Sequence, residues 1–169
     1  RSNAAAMAAS VSGFWNGTMP RIVSVWLRSW PIARFLRAQT ASTAPSDPVD
    51  PARPFVLVAP RKGGACIVAR NRAAETEGLA LGGALASARA KVLDLQSRPA
   101  DPEADAAALG HLALWCLRYT PLVTPWGERE GADGLFLDIA GCAHLFGGED
   151  ALLADLDRRL RGFDLAPRL

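Results

Sequence analysis

The chain has 169 residues, half of them hydrophobic, and 19 basic against 17 acidic residues leave a net charge of +2. That length bounds it to one domain, or a small domain with a subdomain, and the apolar share suffices for a core. So small a charge neither demands nor excludes nucleic acid; three irregularly spaced cysteines fit a reducing cytoplasm rather than a disulfide framework; and no apolar run reaches membrane-spanning length.

The chain opens on Arg1, and Ser2-Asn3-Ala4 has the composition of a cleaved tag, so residues 1–19 are expected to be a tag remnant and a disordered leader. The β-branched run Ile22–Leu27 predicts a strand, and 32–39 has helical spacing with Arg34 and Arg37 turned outward. Residues 40–54, rich in Thr, Ser, Pro and Asp, predict a mobile loop. The unbroken apolar run 55–59 predicts a strand covered on both faces. Arg61-Lys62-Gly63-Gly64 then turns the chain into a second strand at 66–69, making a hairpin.

From 73 to 91 the chain is alanine-rich and helical, broken at Gly78 and Gly82-Gly83, with a further strand expected at 92–96. Asp101-Pro102-Glu103 is a helix start: a capping carboxylate, a proline in the first turn and an acid at the positive end of the dipole. That helix should reach about 118 with Leu109, Leu112 and Cys116 inward. Strands at 121–126 and 134–139 follow, then a helix from Glu149 burying Leu152, Leu153, Leu156 and Leu160. Residues 162–169 resemble the beginning of another strand, as in a fragment of a longer protein. The class expected is α/β (α+β), with strands and helices around one sheet.

The most informative stretch is 133–148. Asp138 interrupts an apolar strand, and a buried, unpaired carboxylate is costly. Asp133 lies five residues away, an odd separation that places two strand side chains on opposite faces, so the pair does not jointly hold a metal. Asp138 is therefore expected to bond nearby backbone donors or a basic side chain.

Three segments together resemble the Y-family, lesion-bypass DNA polymerases. Residues 78–95, from Gly78-Leu79-Ala80-Leu81-Gly82-Gly83 to Asp94-Leu95, are similar to their fingers segment. Residues 133–139 are similar to the palm strand that carries an adjacent Asp-Glu pair, and 21–27 to the first palm strand. The resemblance spans roughly 20–169. It implies a ferredoxin-like palm sheet with packed helices plus a small helical fingers subdomain. The expected division is palm over 20–72, fingers over 73–98 and the rest of the palm over 99–169, ending before the thumb and little finger.

Members of that family hold Mg²⁺ on carboxylates for phosphoryl transfer. Here the resemblance places Trp26 at the first metal-binding acid and Arg28 where a second acid often sits. Asp133 is kept, but Gly134 replaces its Glu partner. Arg72 and Glu75 fall where a Tyr and an Arg usually contact the triphosphate, and Glu75 would repel that anion. Trp26 is expected to fill the vacated site as core, with Trp30 packing beside it or anchoring a partner.

These losses, and the ending Leu-Asp-Ile-Ala-Gly-Cys-Ala-His-Leu-Phe-Gly-Gly, most resemble ImuB-type proteins, non-catalytic bacterial members of a DNA-damage-induced mutagenesis complex. The resemblance implies no cofactor and a scaffold joining the sliding clamp, an ImuA-like protein and an error-prone polymerase, mostly through regions beyond this chain. It also implies weak DNA binding by this part and a cytoplasmic, nucleoid-associated location. Two alternatives stand beside it. One is a divergent active nucleotidyltransferase with Mg²⁺ on Asp133; the other is an unrelated α/β interaction module.

The remaining candidates have plainer readings. Cys116, Cys142, His111 and His144 are possible zinc ligands, but Cys-x-His lacks the usual two-residue gap and no third group orients a Cys-His nucleophile. Gly147-Gly148 could cradle a phosphate, or only turn the chain into its helix. Arg61, Lys62, Arg70 and Arg72 form either a basic patch or a solvated turn. Arg158, Arg159 and Arg161 suit a helix C-terminus.

Overall fold

The computed structural model describes residues 19–41, 47–126 and 133–169. The expected tag remnant and leader, save Met19, lie outside the described residues, as does part of the 40–54 loop.

Strand β1 (Ile22–Leu27) leads into helix α1 (Trp30–Ala41), and β2 (Phe55–Arg61) and β3 (Gly64–Arg70) form the expected hairpin. Short helices α2 (Arg72–Thr76) and α3 (Leu85–Lys91) precede β4 (Gln96–Pro99) and the long helix α4 (Pro102–Cys116). Strands β5 (Val123–Trp126) and β6 (Gly134–Asp138), helix α5 (Glu149–Arg161) and strand β7 (Pro167–Arg168) complete the order. The class is α/β (α+β), but the strands divide into two sheets where one was expected. An antiparallel sheet runs β5-β6-β1-β7, and a smaller one runs β3-β2-β4, with β4 parallel to β2.

Alternation builds the larger sheet. Val23, Val25 and Leu27 of β1 and Leu135 and Leu137 of β6 point to one face, where Leu109, Leu112 and Cys116 of α4 and Leu152, Leu156 and Leu160 of α5 cover them. Period-2 strand faces meet helix stripes at i, i+3, i+4 spacing, which is the ordinary way a sheet buries one side. Asp101 caps α4 as its sequence requires, its carboxylate accepting from the Ala104 N–H at 3.0 Å.

The smaller sheet is covered on both faces, as the unbroken run at 55–59 requires. Val56 and Ile67 pack with Ala74, Leu79, Ala88 and Val92 of the α2–α3 segment. Phe55, Leu57 and Ala69 pack against Ile32 and the ring of Phe35 on α1. Helix α1 thus serves both sheets, because Trp30 at its start belongs to the larger core.

Four local expectations are corrected. The strand expected at 92–96 begins at Gln96, because Val92 is buried at the end of α3 and Leu95 turns back on it. Arg34 is not turned outward: its side chain is 16% exposed and bonds Asp105 at 2.6 Å. Val49, within the loop expected to be mobile, is buried beside Phe55, and Gln39 ties both its backbone groups. Trp30 neither packs beside Trp26 nor stands free to anchor a partner, since it is buried in the larger core and donates to the Asp105 carbonyl at 2.9 Å.

Candidate functional site

Four positions form one row across the larger sheet: Trp126 on β5, Gly134 on β6, Trp26 on β1 and Arg168 on β7. Their neighbours Val25, Leu27 and Leu135 point into the core, so the Trp26 side chain takes the opposite face. Gly134 has no room for any side chain. A Cβ there would lie 2.1 Å from Trp126 Nε1 and 2.5 Å from the Val25 carbonyl oxygen. The Trp126 indole occupies the space above the glycine and stacks on Phe136, with centroids 5.7 Å apart and planes 26° apart. Its buried Nε1 has no acceptor among the described residues.

The two other palm positions are bonded to each other. Trp26 Nε1 donates to Asp133 Oδ2 at 2.8 Å, and the Asp133 carbonyl accepts the Leu27 N–H at 2.7 Å. The Arg168 guanidinium lies over the Trp26 ring, 5.1 Å from its centroid. Trp26 is therefore half-buried between a carboxylate and a cation rather than part of the core.

One turn onward, Arg28 reaches across to α2 and pairs with Glu75. Arg70 holds the same carboxylate at 3.0 Å. The Arg70 hydrogen bond, with Arg28, Arg70 and Arg72 nearby, holds the Glu75 carboxyl below its usual range. The expectation that Glu75 repels an anion considers the carboxylate alone; with two guanidiniums on it, the cluster is net positive. Asn71 fixes the start of α2 by accepting from the Ala74 and Phe55 N–H groups, which leaves Arg72 exposed at the first turn.

This donor set does not fit a divalent cation. Mg²⁺ takes hard oxygen ligands in octahedral geometry. Trp26 supplies an N–H, Arg28 a positive charge and Gly134 no side chain, and the Asp133 carboxylate already accepts from an indole.

The plainer candidates fall elsewhere. Asp138 Oδ1 accepts from the Ala140 N–H at 2.9 Å and the Arg21 N–H at 3.4 Å, a structural role at the strand end. The Gly147 and Gly148 N–H groups close the preceding turn onto His144 and Ala143. Cys116 is buried, which pushes its thiol up to about 12 and keeps it protonated. His111 and His144 are exposed, and no three of His, Cys, Asp and Glu gather as a metal-binding group among the described residues. Arg61 and Lys62 stand at the hairpin tip and Arg70 at its base, roughly 20 Å apart along the strand. Arg158 and Arg159 bond Asp155, and Arg161 bonds Asp157.

Two participants, Trp126 and Arg168, escape sequence reasoning, as does the bond of Arg70, named only as a basic-patch candidate, to Glu75. Each acts across strands or from a neighbouring segment, and no local spacing marks such pairs. The only signal is a glycine at the head of an apolar strand, which points to close approach by something bulky.

No family model matches the chain. Its fold is that of solved Y-family polymerases. The post-insertion binary complex of Dbh DNA polymerase aligns at a TM-score of 0.64 and 12% identity, covering 88% of this chain and 40% of that one. A Dbh-Dpo4 chimera gives 0.63 at 12% identity over 88% and 41%, and DinB from Sulfolobus solfataricus 0.61 at 13% over 88% and 40%. In sequence, 91 residues are 47% identical to Protein ImuB of Caulobacter vibrioides, in both strains NA1000 / CB15N and ATCC 19089 / CIP 103742 / CB 15. The chain thus has a Y-family polymerase fold and is similar in sequence to ImuB. The match takes in 54% of this chain but 19% of ImuB, so the chain spans a small part of that relative's length. The polymerase-like fold, with the similarity to ImuB, speaks against a chain unrelated to polymerases.

Proposed function

We propose that the chain is the palm and fingers part of a non-catalytic, ImuB-like protein that acts as a scaffold in DNA-damage tolerance by translesion synthesis. The observation that carries this reading is the Trp26–Asp133 hydrogen bond beside a glycine that cannot accept a side chain. The one carboxylate left at the polymerase metal position is bonded to the residue standing where its co-ligand would be. Two-metal phosphoryl transfer needs several oxygen ligands converging on both ions, and one acid does not provide them.

On this reading 20–72 and 99–169 correspond to palm and 73–98 to fingers, with β2 and β3 sharing a sheet with β4 rather than with β1. Protein partners of a mutagenesis complex (a sliding clamp, an ImuA-like protein and an error-prone polymerase) would be engaged mainly by other parts of the whole protein, in the cytoplasm near the nucleoid. No described helix is long and apolar enough to cross a membrane.

Calorimetric titration with Mg²⁺ and a deoxynucleoside triphosphate tests the reading. No metal-dependent heat of binding is expected. Tight nucleotide binding that requires Mg²⁺, or primer extension by the full-length protein that Asp133→Ala abolishes, would overturn it.

A further inference from the structure

Helix α4 is apolar almost all round: from Ala104 to Leu117 only Asp105 and His111 are polar. A helix of that composition is normally buried on every side. Here one side is covered. Leu109, Leu112 and Cys116 face the core, while on the opposite side Leu114 is 65% exposed and Leu117 48%. Glu103, Ala107, Gly110, Leu114 and Leu117 follow one another in steps of four and three, which keeps them on one seam along the helix.

Nothing within the chain accounts for Gly110 on that seam. Glycine in mid-helix is less stable than alanine, and a Cβ there would meet no described atom within 4 Å. Small residues on a helix face let a second helix approach closely. The seam is also graded along its length. Its first half is small, with Ala107 and Gly110, and starts at an acid, Glu103. Its second half is large, with Leu114 and Leu117, and ends beside a base, Arg118. Glu103 and Arg118 are exposed, and neither makes an ion pair among the described residues. The fifteen positions between them correspond to roughly 22 Å along a helix, too far for them to pair with each other. Arg118 is nonetheless held in place, with its Nε–H donating to the Trp115 carbonyl at 3.1 Å and its guanidinium 4.2 Å from that ring's centroid.

We propose that this face of α4 docks on the same face of a second copy of the chain, antiparallel, about a two-fold axis between Gly110 and His111. Positions 107 and 114 share that midpoint with positions 103 and 118. In this register Ala107 lies opposite Leu114 of the second copy, and Glu103 opposite its Arg118. A two-fold contact must be self-complementary, and this seam is: small meets large and acid meets base in both halves. The two helix dipoles also run in opposite directions. The face lies behind the core, away from Trp26 and Gly134, so the inference goes beyond the non-catalytic reading and neither depends on the other.

Sedimentation equilibrium of the chain is followed up to about 300 μM, because one helix pair makes a small interface. A concentration-dependent rise from one chain mass to two is expected. Gly110→Leu, which meets nothing in its own chain, should abolish that rise without lowering thermal stability. Glu103→Arg and Arg118→Glu should each weaken association by about tenfold. An equimolar mixture of these two variants should recover it, since each supplies the charge the other lacks. A chain that stays monomeric across this range, or one whose association survives Gly110→Leu, would overturn the inference. Charge variants whose mixture associates no better than either alone would overturn it too, because that rules out the antiparallel register.

Discussion

The two faces of the larger sheet are made by the same strands and have opposite characters. On the inner face Val25, Leu135 and Leu137 are wholly buried under α4 and α5, and aliphatic side chains fill every position. The outer face carries Trp26, Gly134, Phe136 and Trp126, with one carboxylate and one guanidinium bound to the first of these indoles. Folding depends on the inner set, so the architecture tolerates wide change in the outer set. The outer residues also pack: the Trp126 ring fills the space above Gly134 and stacks on Phe136. Residue changes on one face can therefore leave the architecture of the other untouched.

The comparison can be tested first where it predicts the largest effect. Leu137→Ala empties a fully buried position between sheet and helices and should cost roughly 2–5 kcal/mol in denaturant unfolding. A smaller loss would mean that the inner face is less tightly packed than its burial implies.

Next comes the outer face at Gly134. Gly134→Ala places a methyl group against Trp126 and the Val25 carbonyl, and should destabilise by about 2–3 kcal/mol. The double variant with Trp126→Gly should recover only part of this, since the carbonyl stays. Gly134→Glu, which would restore the family's pair, should fare no better than Gly134→Ala. A well-folded Gly134→Glu protein of parental stability would show that the face is open after all.

Trp26→Phe keeps a ring but removes the donor to Asp133, and should cost about 1 kcal/mol. Trp26→Phe with Asp133→Asn should then be no worse than Trp26→Phe alone, a non-additivity that a double-mutant cycle reads directly.

The smallest effect lies in the surface ion pairs outside both faces. Hydrogen bonds from arginines hold Glu75 and Glu149 below their ordinary value of 4.5, and the Tyr119 hydroxyl with Arg159 does the same for Asp155. A depressed carboxylate contributes stability that is present above its unfolded value and lost as pH falls through its folded one. Asp105 runs the other way: burial raises it despite its bond to Arg34, so its contribution improves as pH falls towards 3.8. Melting temperature should therefore decline modestly below about pH 4.5, and more steeply in Asp105→Asn.

Sequence reasoning reached the inner face well and the outer face only in part. Alternation in β1 and the i, i+3, i+7 spacing of Leu109, Leu112 and Cys116 are local signals, and local periodicity is what a single sequence displays. The second sheet was missed because β2 pairs in parallel with β4 across about forty residues, and no short-range pattern announces such a contact. Arg34 read as solvated because Asp105, its partner, lies on another helix. At the candidate site the resemblance marks Trp26, Arg28 and Gly134 as altered and Asp133 as kept. It did not show that Trp26 bonds Asp133, nor that Trp126 lies on Gly134. Those are facts of cross-strand register.

The most direct test is to ask whether the outer face holds a metal. Manganese, which can replace magnesium on oxygen ligands and reports its free form by paramagnetic resonance, can be titrated into the chain without nucleotide. The account predicts that the free-ion signal rises as in buffer alone, and identically for Asp133→Asn. A saturable loss of signal in the parent chain that disappears in Asp133→Asn would contradict it.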